Sequence, residues 1–132
     1  MTRPKLLYLA GPYRSKDGVW GVRQNIARAT EVARELWMMG YAVFCPHANT
    51  AFMDDGDAWS GGATAHGFLE GDLEFLRRSD LMVLLPGWEA SRGVAAELTE
   101  AQLIRLPVYI WPRDKDLLAA GEVACRRPPS LD

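Results

Sequence analysis

Cysteine is scarce in this chain: Cys45 and Cys125 are its only two thiols, far apart and in no metal-ligand spacing. Both fit a reducing compartment, so a cytoplasmic location is expected. Long apolar runs are missing too; none approaches the roughly 20 residues of a membrane span, and the longest are strand-sized. The start, Met1-Thr2-Arg3-Pro4-Lys5, passes at once into a strand-like run, with no sign of a signal peptide. Positive charge is not in excess: 15 Lys and Arg face 17 Asp and Glu, a net charge of -2. That leaves no basic field to grip a nucleic-acid duplex. G-x-G-x-x-G, a Walker lysine motif and a nucleophile elbow are all absent, which weakens dinucleotide, NTPase and serine-hydrolase readings. What is present is a chain 48% hydrophobic and 24% charged, too apolar for disorder. Its 132 residues suit one compact domain, residues 1–132. Five tryptophans are many for this length, and some are expected on a concave surface.

Apolar runs and helical periodicities alternate along the chain. Leu6 to Ala10 is continuously apolar and stops at Gly11-Pro12, the pattern of a strand buried on both faces. After a polar loop over 13–21, Val22, Ile26, Ala29, Ala33 and Leu36 recur at helical spacing up to Met39, with Gly40 as the stop. Tyr41 to Cys45 reads as a second strand, halted by Pro46. Residues 46–66 lack periodicity, and a stretch that long inside a compact domain usually has a function. A helix is expected over Phe68 to Arg78, a strand over Leu81 to Leu85, a helix over Gly93 to Arg105 and a strand over Val108 to Trp111. Asp114 to Ala120 suits a last short helix, and the tail around Arg126 to Pro129 an irregular end. This alternation predicts an α/β fold, a doubly wound parallel sheet of four or five strands, Rossmann- or flavodoxin-like. Ligands of such sheets sit at the carboxyl ends of strands near the switch in strand order. Gly11 to Arg14, Pro46-His47 and Pro86 to Ser91 should therefore surround one crevice.

Several side chains there could carry chemistry. Ser91-Arg92-Gly93 at a helix start offers a hydroxyl, free amides and a positive dipole end, all suited to an anion; Ser91 could equally be a plain helix cap. Glu97 lies about one turn further on and could face the same crevice, although most helical glutamates are solvated. Arg14 follows the first strand, within reach of a phosphate held at the neighbouring strand end. Asp72 is placed near the start of its helix, where an acid is favourable in any case. Asp80 reads as a turn residue without chemistry. Trp88 and Trp59 could stack on a planar base, or simply pack under the long loop. His47 and His66 bracket Asp54, Asp55 and Asp57, but the spacing matches no recognised metal pattern.

Four segments together resemble the nucleoside 2-deoxyribosyltransferase superfamily, especially its small deoxyribosyltransferase-like branch that includes nucleoside 5′-monophosphate N-glycosidases. They are Tyr8-Leu9-Ala10-Gly11-Pro12-Tyr13-Arg14, Val43-Phe44-Cys45-Pro46-His47, Asp72 ahead of Ser79-Asp80, and Leu84 through Glu97. The resemblance covers roughly residues 5–111. It implies that Glu97 is a nucleophile attacking C1′ of the sugar, that Asp72 assists at the base or sugar, and that Tyr8 orients the glutamate. It also implies phosphate binding through Arg14 and Ser91, because relatives acting on free nucleosides resemble one another in an acid at the Ser91 position. Gly11, His47, Trp88 and Gly93 fall among the substrate-binding positions. No cofactor and no metal are implied, and the partner is a small nucleotide or nucleoside. Sites in that superfamily draw on a neighbouring subunit, which implies a homodimer or higher homo-oligomer; Trp37, Met38 and Met39 are the candidate contact residues.

The expectation is thus cleavage of the N-glycosidic bond of a nucleoside 5′-monophosphate. Deoxyribosyl transfer between free nucleosides, or a non-catalytic nucleotide-binding domain on the same fold, remain alternatives. A flavodoxin-like electron carrier would need a hydroxyl-rich phosphate loop after the first strand, and none is clear.

Overall fold

The computed structural model describes residues 3–50 and 63–126, with side chains over 3–50 and 68–126. Among the described residues four strands, β1 (Leu6–Ala10), β2 (Ala42–Phe44), β3 (Leu81–Leu84) and β4 (Val108–Ile110), form one parallel sheet in the order β2-β1-β3-β4. The helices that connect or flank them are α1 (Gly18–Met38), α2 (Pro46–Asn49), α3 (Ala63–Arg77), α4 (Arg92–Leu103) and α5 (Lys115–Ala120). The sheet is the doubly wound α/β arrangement expected from the sequence.

Alternation along β1 explains why its sequence is apolar throughout. Leu7 and Leu9 enter a core shared with Ala29, Ala33 and Leu36 of α1 and Leu118 of α5. Tyr8 and Ala10 enter a second core, with Leu73 and Leu76 of α3 and Val94 and Ala101 of α4. Both faces are covered, so no strand position in the middle of the sheet can be polar unless it has a partner. Where the sheet begins, Asp80 ties β1 to β3. Its backbone N–H donates to the Leu6 carbonyl at 2.7 Å, and its Oδ2 accepts from the Leu6 N–H at 2.8 Å.

Three features depart from the sequence expectation by more than two residues, each for a physical reason. Helix α1 starts at Gly18, not Val22, because its first turn faces water: Val19 and Trp20 are exposed and give no inward periodicity. Local contacts start it instead. Gly18 N–H donates to the Ser15 carbonyl, Asp17 N–H donates to Ser15 Oγ, and a Cβ at Gly21 would fall 1.9 Å from that hydroxyl oxygen. Part of the stretch expected to be irregular is helical: α2 opens on Pro46, whose fixed φ suits a first helical position. Helix α3 begins at Ala63, so Asp72 lies deep within it and not in its first turn. The favourable-dipole account of Asp72 therefore does not apply.

After β1 the chain turns to the α1 face, and after β3 to the α4 face. The carboxyl ends of these two adjacent strands therefore part company, opening the crevice typical of the switch point.

Candidate functional site

A cleft of about 700 Å³ occupies that switch point. Its floor carries Glu97 and Asp72, and Tyr8, fully buried, supports Glu97 from behind. Tyr8, at an even position of β1, must point to the α3/α4 face of the sheet. There its hydroxyl donates a hydrogen bond to Glu97 Oε2, across a sequence separation of 89. Glu97 sits in the second turn of α4 and is 7% exposed. Asp72, half-buried on α3, lines the same cleft. The α3 and α4 helices pack side by side over this face, which brings the two carboxyls together.

Burial dominates the electrostatics of the floor. It pushes the Glu97 carboxyl up to about 7; the Tyr8 hydrogen bond opposes this, and the Asp72 charge adds to it. Burial likewise raises Asp72 to about 6. Tyr8 is driven far above the ordinary phenol range, first by burial and then by the Glu97 and Asp72 charges, so it stays a neutral donor. The floor can therefore hold and exchange a proton near neutral pH, a property that acid–base and nucleophilic carboxylates share.

The rim is cationic and rich in amides. Ser91 caps α4, its Oγ accepting from the Val94 N–H at 3.3 Å, so the plain capping role is real. The same residue lines the cleft, together with Arg92 and Gly93, whose first-turn amides have no partner within the helix. Arg14 lines the opposite lip and is exposed. Gly11 turns the chain over Leu85: a Cβ there would come within 2.7 Å of the Leu85 Cβ, so only glycine lets the loop leave β1 at this point.

His47 lines the cleft but is 4% exposed, with Nε2 2.8 Å from the Pro12 carbonyl oxygen. Burial lowers its pKa, and the Pro12 and Gly11 carbonyls oppose that shift. Trp88 is not brought to the cleft. It sits in a 3-10 turn (Trp88–Ala90), half-buried and packed against the core that holds Tyr8. Of the other tryptophans, Trp111 is buried in the core, Trp20 is exposed, and Trp37 borders a second groove between α1, β2 and α2. Trp59, Asp54, Asp55 and Asp57 lie outside the described residues, as does the side chain of His66. Among the described residues no group of three His, Cys, Asp or Glu could hold a metal ion.

Sequence reasoning missed Leu69 and Thr50 as lining residues. Leu69 precedes Asp72 by three positions on α3, a spacing that shares a helix face and could have identified it. Thr50 follows a helix too short to show periodicity.

The architecture is an α/β fold with a four-stranded parallel sheet. It resembles the solved 2-deoxyribosyltransferase of the psychrotolerant bacterium Bacillus psychrosaccharolyticus, with a TM-score of 0.54 and 22% identity over 80% of this chain and 70% of that one. The chain belongs to the family described as Domain of unknown function (DUF7768), whose model matches residues 5–111. No curated protein matches it in sequence. No helix among the described residues is long and apolar enough to cross a membrane.

Proposed function

We propose that this cleft breaks the N-glycosidic bond of a nucleoside 5′-monophosphate, with Glu97 as nucleophile. The observation that carries the proposal is the buried Tyr8–Glu97 hydrogen bond beside Asp72 on the cleft floor. A carboxylate held there stabilises the oxocarbenium-like state of C1′ and can trap it. In the first step a Glu97 oxygen bonds to C1′ while the C1′–N bond breaks and its electron pair leaves with the base. Protonated Asp72 gives that base its proton. In the second step water attacks C1′, its proton passing to Asp72, and the Glu97–C1′ ester breaks to release sugar phosphate. Tyr8 donates to Glu97 throughout, holding one oxygen aimed while the other reacts. The two carboxyls titrate as a coupled pair with one proton between them; Glu97 is the more strongly raised of the two in the free protein, so the reactive form is the one in which that proton has passed to Asp72.

Arg14, the Ser91 hydroxyl and the Arg92 and Gly93 amides would receive the 5′-phosphate; anions are favoured at a helix N-terminus and by a guanidinium fork. Deoxyribosyl transfer is the second reading, favoured by the description of the fold neighbour as a 2-deoxyribosyltransferase. In that case a second base replaces water in the second step.

The deciding experiment incubates a panel of nucleosides and their 5′-monophosphates with wild type, Glu97→Ala and Arg14→Ala, with and without an added acceptor base. Free base should appear from a monophosphate, vanish with Glu97→Ala, and fall about 10- to 150-fold with Arg14→Ala. Product only with the acceptor base would establish transfer. Equal rates on nucleoside and nucleotide, both indifferent to Arg14→Ala, would remove the phosphate site.

A further inference from the structure

Both ring nitrogens of His47 are already engaged by the protein. The carbonyl of Pro12, 2.8 Å from Nε2, can only accept, so the imidazole proton sits on Nε2. Nδ1 then carries the lone pair, and the Cys45 Sγ lies 3.9 Å from it as a thiol donor. Burial keeps the imidazole neutral and the thiol protonated, as this pairing requires. The residue after Pro12 is tied as well: Asn25 Nδ2 of α1 donates to the Tyr13 carbonyl at 3.0 Å, and the Tyr13 ring meets the His47 ring edge-on at 5.7 Å. Two consecutive carbonyls of the β1–α1 loop are thus fastened, one to α2 and one to α1. Arg14 comes next in the chain and lines the cleft.

We infer that His47 is a positioning residue: its Nε2–H bond to Pro12 sets the β1–α1 loop so that Arg14 stands over the cleft, where it receives the anionic group of the substrate. This rests on the nucleotide reading above for its kinetic consequence, but not for the hydrogen bond itself. The imidazole acts through the loop and not on the reacting atoms, so its loss should weaken substrate binding and spare the chemical step.

The test compares His47→Ala and His47→Gln, each alone and in an Arg14→Ala background, with a nucleoside 5′-monophosphate as substrate. Gln places an amide N–H at a reach similar to Nε2–H. His47→Ala should raise KM about 5- to 10-fold, the effect of one lost hydrogen bond, with kcat changed less than about twofold. His47→Gln should restore most of the loss, and in the Arg14→Ala background the His47→Ala effect should shrink below about twofold. An equal KM effect in both backgrounds, or a fall in kcat at constant KM, would overturn the inference. A ligand-free readout runs beside it. Nitrogen NMR of wild-type imidazole should show a neutral ring protonated at Nε2, and amide exchange over 11–14 should quicken in His47→Ala but not in His47→Gln. If no nucleotide is turned over, the functional reading fails, and these two signals still decide the clamp. A ring protonated at Nδ1, or unchanged exchange, refutes it.

Discussion

Buried beside Asp72 and hydrogen-bonded to Tyr8, Glu97 holds its proton up to about pH 7 in the folded protein, against an ordinary value of 4.5. A carboxyl whose folded pKa is raised favours the folded state in full only below its unfolded pKa. That contribution is lost as pH rises from about 4.5 through about 7. Glu97→Gln is neutral at every pH and escapes this loss. Each tenfold change in proton affinity between the folded and unfolded chain is worth about 1.4 kcal/mol. Glu97→Gln should therefore stabilise the protein by about 3 kcal/mol at pH 8, and hardly at all at pH 4. Urea unfolding at the two pH values measures the difference. Tyr8→Phe acts in the opposite sense on the same pair. Losing the donor removes the one influence that holds Glu97 down, so its pKa should climb further and the acidic limb of kcat/KM should move up by about one pH unit. Turnover near neutral pH should fall roughly 10-fold or more. A pH profile identical to wild type would show that Glu97 is not the titrating group.

In the proposed reaction helix α4 would carry both the nucleophile and the anion-binding end on one rigid element: its cap Ser91 is at the rim, Glu97 at the floor. Because the cap and the phosphate would share one residue, substitution there can separate the two roles. Ser91→Asp keeps a good helix cap, so stability should stay within about 0.5 kcal/mol of wild type. Its new charge should repel a phosphate, lowering kcat/KM for the monophosphate about 10-fold or more while leaving or improving action on the nucleoside. Ser91→Ala should instead cost about 1 kcal/mol of stability through the lost cap. Thermal melts and paired kinetics on the two substrates distinguish these outcomes. Helix α3 shows why the sequence pattern sets Asp72 too near a helix start. Asp72 and Leu69 share a face of α3, and the α3 turns before Phe68 carry mostly Ala, Gly and Thr, which show no apolar period.

Over the whole molecule, the surface left uncovered by the sheet and its helices contains Trp37, 56% exposed, and Met38, 77% exposed, at the end of α1. Met39, named with them from the sequence, packs against the α1-side core and is not available. A homodimer joined through Trp37 and Met38 is expected, as large exposed apolar side chains at one place favour a self-complementary contact. Light scattering at micromolar concentration should return a dimer mass, and Trp37→Glu a monomer. A monomeric wild type would refute it.

Sequence alone determined the fold class, because β1 and β3 are apolar at every position and only a sheet covered on both faces buries such runs. It also determined which loops meet, since the carboxyl ends of parallel strands share one edge. The positions of Gly11, Arg14, Ser91, Gly93 and Glu97 around one cleft follow from that edge and from helical spacing, whereas Asp72 was attached to the site only through the resemblance to the superfamily. Tertiary structure decided what no periodicity encodes. It packed Trp88 against the core, began α1 on a solvent-facing turn, and set Tyr8 against Glu97 across 89 residues of chain. It also set Nε2 of His47 against the Pro12 carbonyl, 35 residues back in the chain, a nearness that depends on how α2 packs against the β1–α1 loop. Local pattern records which face a residue shows; which side chain waits opposite depends on the packing of elements distant in sequence.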